Sequence, residues 1–308
     1  MIEITSVAQA VDRINELAED VNFLGNPNEN YSRFPFGLWF RGQYDFDWLL
    51  QPSVFRTKTD LTPESEHYDE LDIFVHMQLR APEYRQTHRS TFDWLCLLQH
   101  YSLPTRLLDW SESILFALYF SVKDSAESTA ESTKDARLSV LNTRKLNKYV
   151  RGKYTLFIPS SFHTIIRAEM ARFRSKRDLI LNRTVQEAAK AHDIDLDKSN
   201  NLDSFTAPIA VFPERINHRM IFQQGVFTLH GGKLYGKVKP EKVEDFMPSP
   251  KTLEDIDKEV DILRHYIIPR GYKDKIKEDL FRLGIHEGTL FPEIDRQAAY
   301  LKKLQRSL

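Results

Sequence analysis

Arg41, Gln43, His100, Arg106, Asp109, Arg215, Gln223 and Gln224 are polar side chains set among apolar and aromatic neighbours. Their chemistry is mostly that of donors. An arginine offers a planar fork of N–H groups that matches phosphate or carboxylate. A histidine changes charge near neutral pH and can take a proton. Such groups are costly to bury unless each finds a partner, so a cluster of them is either a structural lock or a site. The densest cluster is LCLLQHYSLPTRLLDWSESILFALYF, residues 95–120, where Gln99, His100, Thr105, Arg106 and Asp109 interrupt a core-like run.

Each of these residues has a plain structural reading beside the chemical one. Arg41 ends the apolar run LWF and precedes Gly42, which lets the backbone turn or lie close to a ligand. It could equally be a buried arginine locked to Asp109 or Asp47. His100 is either a base or a core histidine bonded to a carbonyl. Arg106 and Asp109, three apart, read as partners of each other or of helix ends. Of Tyr119 and Phe120, at most one can face a ligand. Gln223 and Gln224 fit a site or a strand-end hydrogen bond. The basic run Arg167, Arg172, Arg174, Lys176, Arg177 and Arg183 reads as a solvated helix face before it reads as a guide for nucleic acid.

Several function classes fall away. The chain has no GxxxxGK[ST], GxGxxG, HExxH or GxSxG, so P-loop, Rossmann, zinc-peptidase and α/β-hydrolase chemistry has no support. Its 43 Lys+Arg against 44 Asp+Glu give a net charge of −1, which argues against a broad non-specific nucleic-acid footprint. One cysteine, Cys96, excludes an internal disulfide and a Cys-rich zinc site, and it reads as a buried small hydrophobe. The acidic segment 192–204 lacks the spacing of a calcium loop, so no metal is expected. No signal peptide and no membrane span are legible, which points to a reduced, cytoplasmic compartment and no membrane partner.

The elements that would position the cluster can be read from pattern. Ser6 with Gln9 starts a helix carrying Val7, Val11, Ile14, Leu17 and Val21 on one face. Leu38–Gln43 is a short buried strand, and QPSVFR is extended. A helix from Thr62-Pro63 stops at Ala81-Pro82. Pro104 stops the helix FDWLCLLQHY, and Ser111 caps the next, which holds Ile114, Leu115, Leu118, Tyr119 and Val122. On this reading His100, Arg106 and Asp109 lie on a connection between two buried helices. Residues 124–137 form an exposed loop, 138–142 a strand, and 160–175 and 178–192 mixed helices. Strands follow at 207–213 and 226–231, with a helical turn between them, then ILRHYIIP as a strand, a helix over 274–283 and a last helix after Pro292. Helices and strands mix without βαβ spacing, which predicts an α+β fold. The chain reads as a single large mixed domain, 1–308, with a core of about 34–230 and a C-terminal strand and helices, 253–308, packed on it.

FRGQ at 40–43 and QHYSLPTRLLDWSESILFALYFSV at 99–122 resemble the signatures of the FRG domain family, and RINHRMIFQQGVF (215–227) and LFPEIDRQAAYL (290–301) are similar to its later motifs. Ser102 stands where that family commonly has Gly, and Ser111 where it commonly has Thr. In motif layout the family is similar to ADP-ribosyltransferases. The resemblance implies a central split or twisted β-sheet flanked by helices and an NAD-dependent transferase that modifies a macromolecule, RNA included. It also implies a toxin or phage-defence setting with an antitoxin or regulatory partner. On that basis Arg41, His100, Gln223 and Gln224 are the expected catalytic residues. Arg41, Gly42, Gln43, Arg106, Tyr119 and Phe120 are the expected NAD-binding residues, with NAD as substrate. Many such enzymes place a glutamate where Gln223 stands, and Glu169 or Glu214 could supply that charge. The competing reading is a non-catalytic interaction module whose polar network only locks the core.

Overall fold

The computed structural model describes residues 2–25, 37–56, 68, 70–87, 91–123, 134–151, 207–213, 215, 218–230 and 251–306. Among these, one seven-stranded sheet runs in the order β1-β7-β4-β2-β3-β6-β5. The strands are β1 (Ile2–Glu3), β2 (Leu38–Gln43), β3 (Leu107–Ser111), β4 (Ala136–Asn142), β5 (Ile209–Val211), β6 (Gly225–Leu229) and β7 (Leu263–Ile268). Every pair is antiparallel except β1 with β7. The fold is therefore α+β, with a mostly antiparallel sheet flanked by helices. Strand β4 lies between β7 and β2, and each of its seven residues is buried, as a strand covered on both faces requires. The C-terminal strand is thus inside the sheet, not packed upon it.

Apolar side chains from the two faces form separate layers. Trp39, Leu108, Trp110 and Leu141 pack with Leu146 of α6 (Thr143–Arg151) and Ile256 of α8 (Leu253–Val260). Leu38, Phe40, Leu138 and Val140 pack with Leu118 of α5 (Ile114–Val122) and with Ile276 and Leu280 of α9 (Lys273–Arg282). Helix α1 (Val7–Glu19) joins the second layer through Val7, Ala10 and Leu17. A third cluster sets Phe92, Leu95 and Leu98 of α4 (Thr91–His100) against Leu107 and Phe227. Helix α5, apolar nearly all round, is the kind of helix that can only be buried. It crosses β2 so closely that a Cβ on Gly42 would lie 1.8 Å from the Ala117 carbonyl oxygen and 2.6 Å from the Ser121 amide. The glycine before which a ligand was expected to approach is occupied instead by helix backbone.

The hub differs from expectation. Leu107–Ser111 is a strand, not a connection, and it pairs with Gly225–Leu229. Its partner lies more than a hundred residues later, where no local pattern reaches. Helix α5 starts after Ser113, not Ser111. Ser111 Oγ accepts from the Ser113 amide at 3.0 Å and donates to the Gln223 carbonyl at 2.9 Å. Ser53–Phe55, expected to be extended, is a 3-10 turn. Helix α3 (Glu70–Arg80) ends where Pro82 requires. The readings over 152–206 lie outside the described residues.

The join of β2 to β3 is short. Strand β2 pairs with β4 along its whole length, Leu38 to Gln43, but with β3 only at Phe40↔Ser111. Beyond that point the two strands part, and the sheet opens as a wedge. Among the described residues no helix is long and apolar enough to cross a membrane.

Two predictions follow from the packing. Gly42→Ala meets backbone atoms that cannot step aside, so it should lose about 3 kcal/mol, the upper range for an overpacked core. A urea unfolding midpoint measures this, and an unchanged midpoint would refute the close crossing. The second concerns pH. Burial, with Arg41 and Arg106 adding, lowers the His230 pKa to about 3, and burial, then Arg137, lowers His265 to about 4. Both rings bind hydroxyls: His230 Nε2 lies 2.9 Å from Thr228 Oγ1, and His265 Nδ1 lies 2.9 Å from Ser139 Oγ. The unfolded rings protonate near pH 6.5 while the folded ones stay neutral, so the unfolded state gains protons as pH falls. Stability should drop from about pH 6.5 downward by about 1.4 kcal/mol per pH unit for each ring. His230→Gln should flatten that slope in urea midpoints taken between pH 7 and 5.

Candidate functional site

A cavity of about 590 Å³ occupies the wedge between β2 and β3. Residues Phe40 to Tyr44 form one wall and Leu107 to Ser111 the other, with α4, α5 and the short helix α7 (His218–Phe222) around them. Where the β2–β3 ladder stops, Arg41 takes over: its Nη1 donates to the Asp109 main-chain oxygen at 2.7 Å. The arginine is partly exposed to the cleft, yet its Nε is buried with no partner among the described residues. Burial lowers its pKa to about 10, opposed by Asp109. It therefore keeps its charge at neutral pH, with donor capacity unspent.

The Asp109 carboxylate is exposed in the same cleft. Its Oδ2 accepts from Gln99 Nε2 at 2.6 Å, and Gln99 Oε1 accepts from Thr105 Oγ1 at 2.5 Å. The Thr105 hydroxyl in turn accepts from the Leu107 amide at 3.2 Å. The chain from strand start to carboxylate fixes the glutamine amide, and so fixes the acid. Of the two readings of Arg106, a pair with Asp109 or with a helix end, the structure shows the second, because Glu70 opens α3. Arg106 Nε reaches Glu70 Oε2 at 2.8 Å, and its main-chain amide reaches Glu70 Oε1 at 2.7 Å, both residues being almost wholly buried. Arg106, expected with the NAD-binding residues, does not line the cleft.

Four cations line the cavity: Arg41, Arg56, Lys123 and Arg219. Burial is the first cause that lowers the pKa of each. They fall into two groups. The charge of Arg56 acts on Arg41, and the charge of Arg219 acts on Lys123. Lys123 and Arg219 also flank the Phe291 ring, at 4.4 and 4.8 Å. Asp109 is the one carboxylate among the described residues that line the cavity. Such an excess of partly desolvated positive charge is the mark of an anion site.

Of the other expected residues, His100, Phe120 and Gln223 line the cleft. Burial, then Arg219, lowers the His100 pKa, while Glu293 and Asp295 oppose. The ring is therefore neutral at pH 7. Gln223 Nε2 donates to the Leu290 carbonyl at 2.9 Å, which ties β6 to the C-terminal segment. Gln43 touches the cavity, but its amide is committed. Nε2 donates to the Trp48 and Leu49 carbonyls at 3.1 and 3.3 Å, and Oε1 accepts from Arg137 Nε and Nη2 at 3.1 and 2.6 Å. Tyr119 and Gln224 do not line it. Tyr119 is buried in α5, and Gln224 sits at φ +47 with its carbonyl accepting from the Glu112 amide at 3.1 Å. Arg215 pairs with Glu112. Ser102 holds φ +60 just after α4, which explains a position where glycine is at home. Cys96 lines the cavity, but burial pushes its thiol pKa well up, so it is no ready nucleophile. Glu169, Glu214 and the basic run 167–183 lie outside the described residues. Among the described residues no three His, Cys, Asp or Glu side chains cluster as a metal site.

Sequence reasoning missed Arg56, Lys123 and Arg219. Arg56 and Lys123 stand alone in their segments, so no spacing signals them, and Arg219 was not singled out within the motif at 215–227. Removing half of the Glu70–Arg106 pair tests the division between lock and site. Arg106→Met should lose about 3–5 kcal/mol in a urea titration, since it strands a buried carboxylate, while the folded fraction keeps the cleft's ligand affinity. A change in affinity with unchanged stability would reverse that assignment.

Residues 37–130 match the family model of the FRG domain. That segment contains Arg41, Arg56, Gln99, His100, Asp109, Phe120 and Lys123, but neither Arg219 nor Gln223. No curated protein and no solved structure matches the chain.

Proposed function

We propose, for a chain that carries an FRG domain over residues 37–130, that the wedge between β2 and β3 binds NAD as a substrate. The protein then transfers its ADP-ribose to a macromolecule. The observation that carries this reading is the imbalance of charge: four partly buried cations face one carboxylate, and Arg41 keeps an unspent Nε beside it. A diphosphate is the anion that a forked guanidinium pair fits best, and Arg41 with Arg56 would hold it. The aromatic Phe120 and the amide of Gln223 suit the nicotinamide riboside end.

In the transfer, the bond between nicotinamide and ribose breaks, nicotinamide leaves with the bonding electrons, and the acceptor atom bonds to the same ribose carbon. The acceptor's proton goes to a base. Positive charge grows on the ribose as the bond opens, so a fixed carboxylate nearby lowers the barrier. Asp109, held by Gln99, fills the role that Gln223 cannot, because an amide carries no charge. Neutral His100 is the group able to take the acceptor's proton. A cytoplasmic toxin or phage-defence effector, with RNA among its acceptors and an antitoxin as regulator, is the setting we propose for this activity. The contacts that commit Gln43 and Arg106 to the core favour a second reading for part of the network, a core lock without chemistry.

Nicotinamide release from NAD, with a thermal shift, tests the reading. NAD at about 100 times its dissociation constant should add about 2.7 kcal/mol of stability. Arg41→Ala should abolish that gain. Asp109→Asn should keep the binding but slow release by about 100- to 1000-fold, as expected when a preorganised electrostatic group is lost. Neither binding nor release in the wild type would leave the lock reading standing.

A further inference from the structure

Beside the cleft sits a pair of polar side chains whose needs are unmet. Glu293 lies just before helix α11 (Ile294–Arg306), and both of its carboxylate oxygens are buried with no hydrogen-bond partner among the described residues. His100, at the end of α4, has a buried Nδ1 in the same condition. The two face each other, with His100 Nε2 3.7 Å from Glu293 Oε1. A buried carboxylate with neither oxygen bonded is rare, and such groups collect where a structure is completed by a ligand or by a small closing movement. The charge of Arg219 reaches this carboxylate, but no hydrogen bond among the described residues holds either oxygen.

We propose that Glu293 is a positioning residue for His100. It holds the ring with Nε2–H directed at its carboxylate, which leaves the lone pair on the buried Nδ1, and a shift of the ring on substrate binding would bring that atom out to receive the acceptor's proton. This rests on the reading of His100 as the base of the transfer. A nitrogen that faces a carboxylate carries the hydrogen, which fixes the tautomer. The 3.7 Å separation is longer than a hydrogen bond, as acid–base contacts commonly are before substrate is bound, and it would shorten on binding. When Nδ1 takes the proton, the imidazolium gains a counter-charge in place, and the proton comes from the acceptor atom that bonds to ribose. No other reactant is needed.

The charged groups around the ring come from two elements. Arg219 of α7 donates through Nη1 to the His100 carbonyl at 3.4 Å and repels a protonated ring. Glu293 and Asp295, at the start of α11, attract one. From α4's own end, the uncharged Tyr101 packs edge-on at 4.9 Å. Glu293 also attracts Arg219, and Asp109 does so too. The carboxylate therefore stands between a base and a cation of the cleft wall and answers to both.

The test is Glu293→Gln, which keeps shape and removes charge, read by NMR titration of the His100 ring. His100→Gln identifies the signal. We expect the His100 pKa to fall by roughly one unit, the low end of what a single opposite charge nearby contributes, and the Nε2–H tautomer to lose its dominance. With NAD present, the acid limb of nicotinamide release should move to lower pH by the same amount. Release at the optimum should fall at least tenfold, and Glu293→Asp should recover part of it. An unchanged or raised His100 pKa, or an Nδ1–H tautomer in the wild type, overturns the proposal. The NMR readout needs no activity, so a wild type that releases no nicotinamide overturns the transferase reading alone. The pairing of Glu293 with His100 then stands or falls on the pKa and the tautomer.

Discussion

The parting of β2 from β3 after a single paired position is the constraint on which the rest of the site depends. An antiparallel ladder normally consumes every main-chain donor and acceptor between its strands. Here it stops at Phe40↔Ser111, and the Asp109 carbonyl is satisfied by the Arg41 side chain instead. A guanidinium spans a gap that a peptide N–H cannot, so the strands stay tied while the space between them opens. The same substitution brings a cation and a carboxylate to the mouth of the opening without pairing them to each other. Had Arg41 met the Asp109 carboxylate, both charges would have been spent. Because it meets the carbonyl, both remain available.

The arginines of this core divide by what they touch. Arg106 is joined through side chain and backbone to Glu70, and Arg137 to Gln43 and the Trp48 carbonyl. These contacts join distant segments, and they hold the walls. The Arg106 pair anchors the first residue before β3, next to the Thr105–Gln99–Asp109 chain. Its burial is costly and makes sense only with both partners present. Arg41, Arg56 and Arg219 have main-chain acceptors but no carboxylate at salt-bridge distance among the described residues. Burial strains their charge rather than relieving it. Frame and cleft thus use the same residue type in opposite electrostatic conditions, and geometry alone tells them apart.

Much of this was legible in the sequence where local pattern carries the information. LWFRGQ reads as a strand and is one over its full length, because β-favouring residues are bounded by a loop and a turn. Arg41, His100, Phe120 and Gln223 were singled out as polar or aromatic residues in apolar company, and the cleft contains them. Strand β3 was not legible. LLDW is equally apolar for a helix or a strand over so short a run, and its partner β6 lies beyond a long intervening segment. The three-residue spacing of Arg106 and Asp109 left a mutual pair or pairs with helix ends open; the segment is extended, and Arg106 meets Glu70 at the start of α3 while Asp109 meets Gln99. Gly42 was read as room for a ligand. A close approach was indeed required, but α5 makes it. Lys123 lies just past the motif at 99–122, and Arg219 and Glu293 lie within the motif segments 215–227 and 290–301 without being singled out there; only the fold assembles them.

That assembly bears on what the family-matched segment can do by itself. Residues 37–130 contain β2, β3, α4 and α5, the floor and two walls of the cleft. Yet β2 is hydrogen-bonded along its length to β4, which begins at Ala136, and β3 is bonded along its length to β6, which begins at Gly225. Cut from these neighbours, both strands would expose unpaired edges, and the apolar faces that carry Trp39 and Trp110 would lose their cover. The rim is supplied later still: Gln223 is fastened to the Leu290 carbonyl, and His100 faces Glu293. The segment that matches the family model therefore holds the floor of the cleft, whereas the late chain closes the sheet and brings the groups that surround His100. A cleft built this way takes its polar chemistry from two ends of the sequence, and each end is folded only against the other.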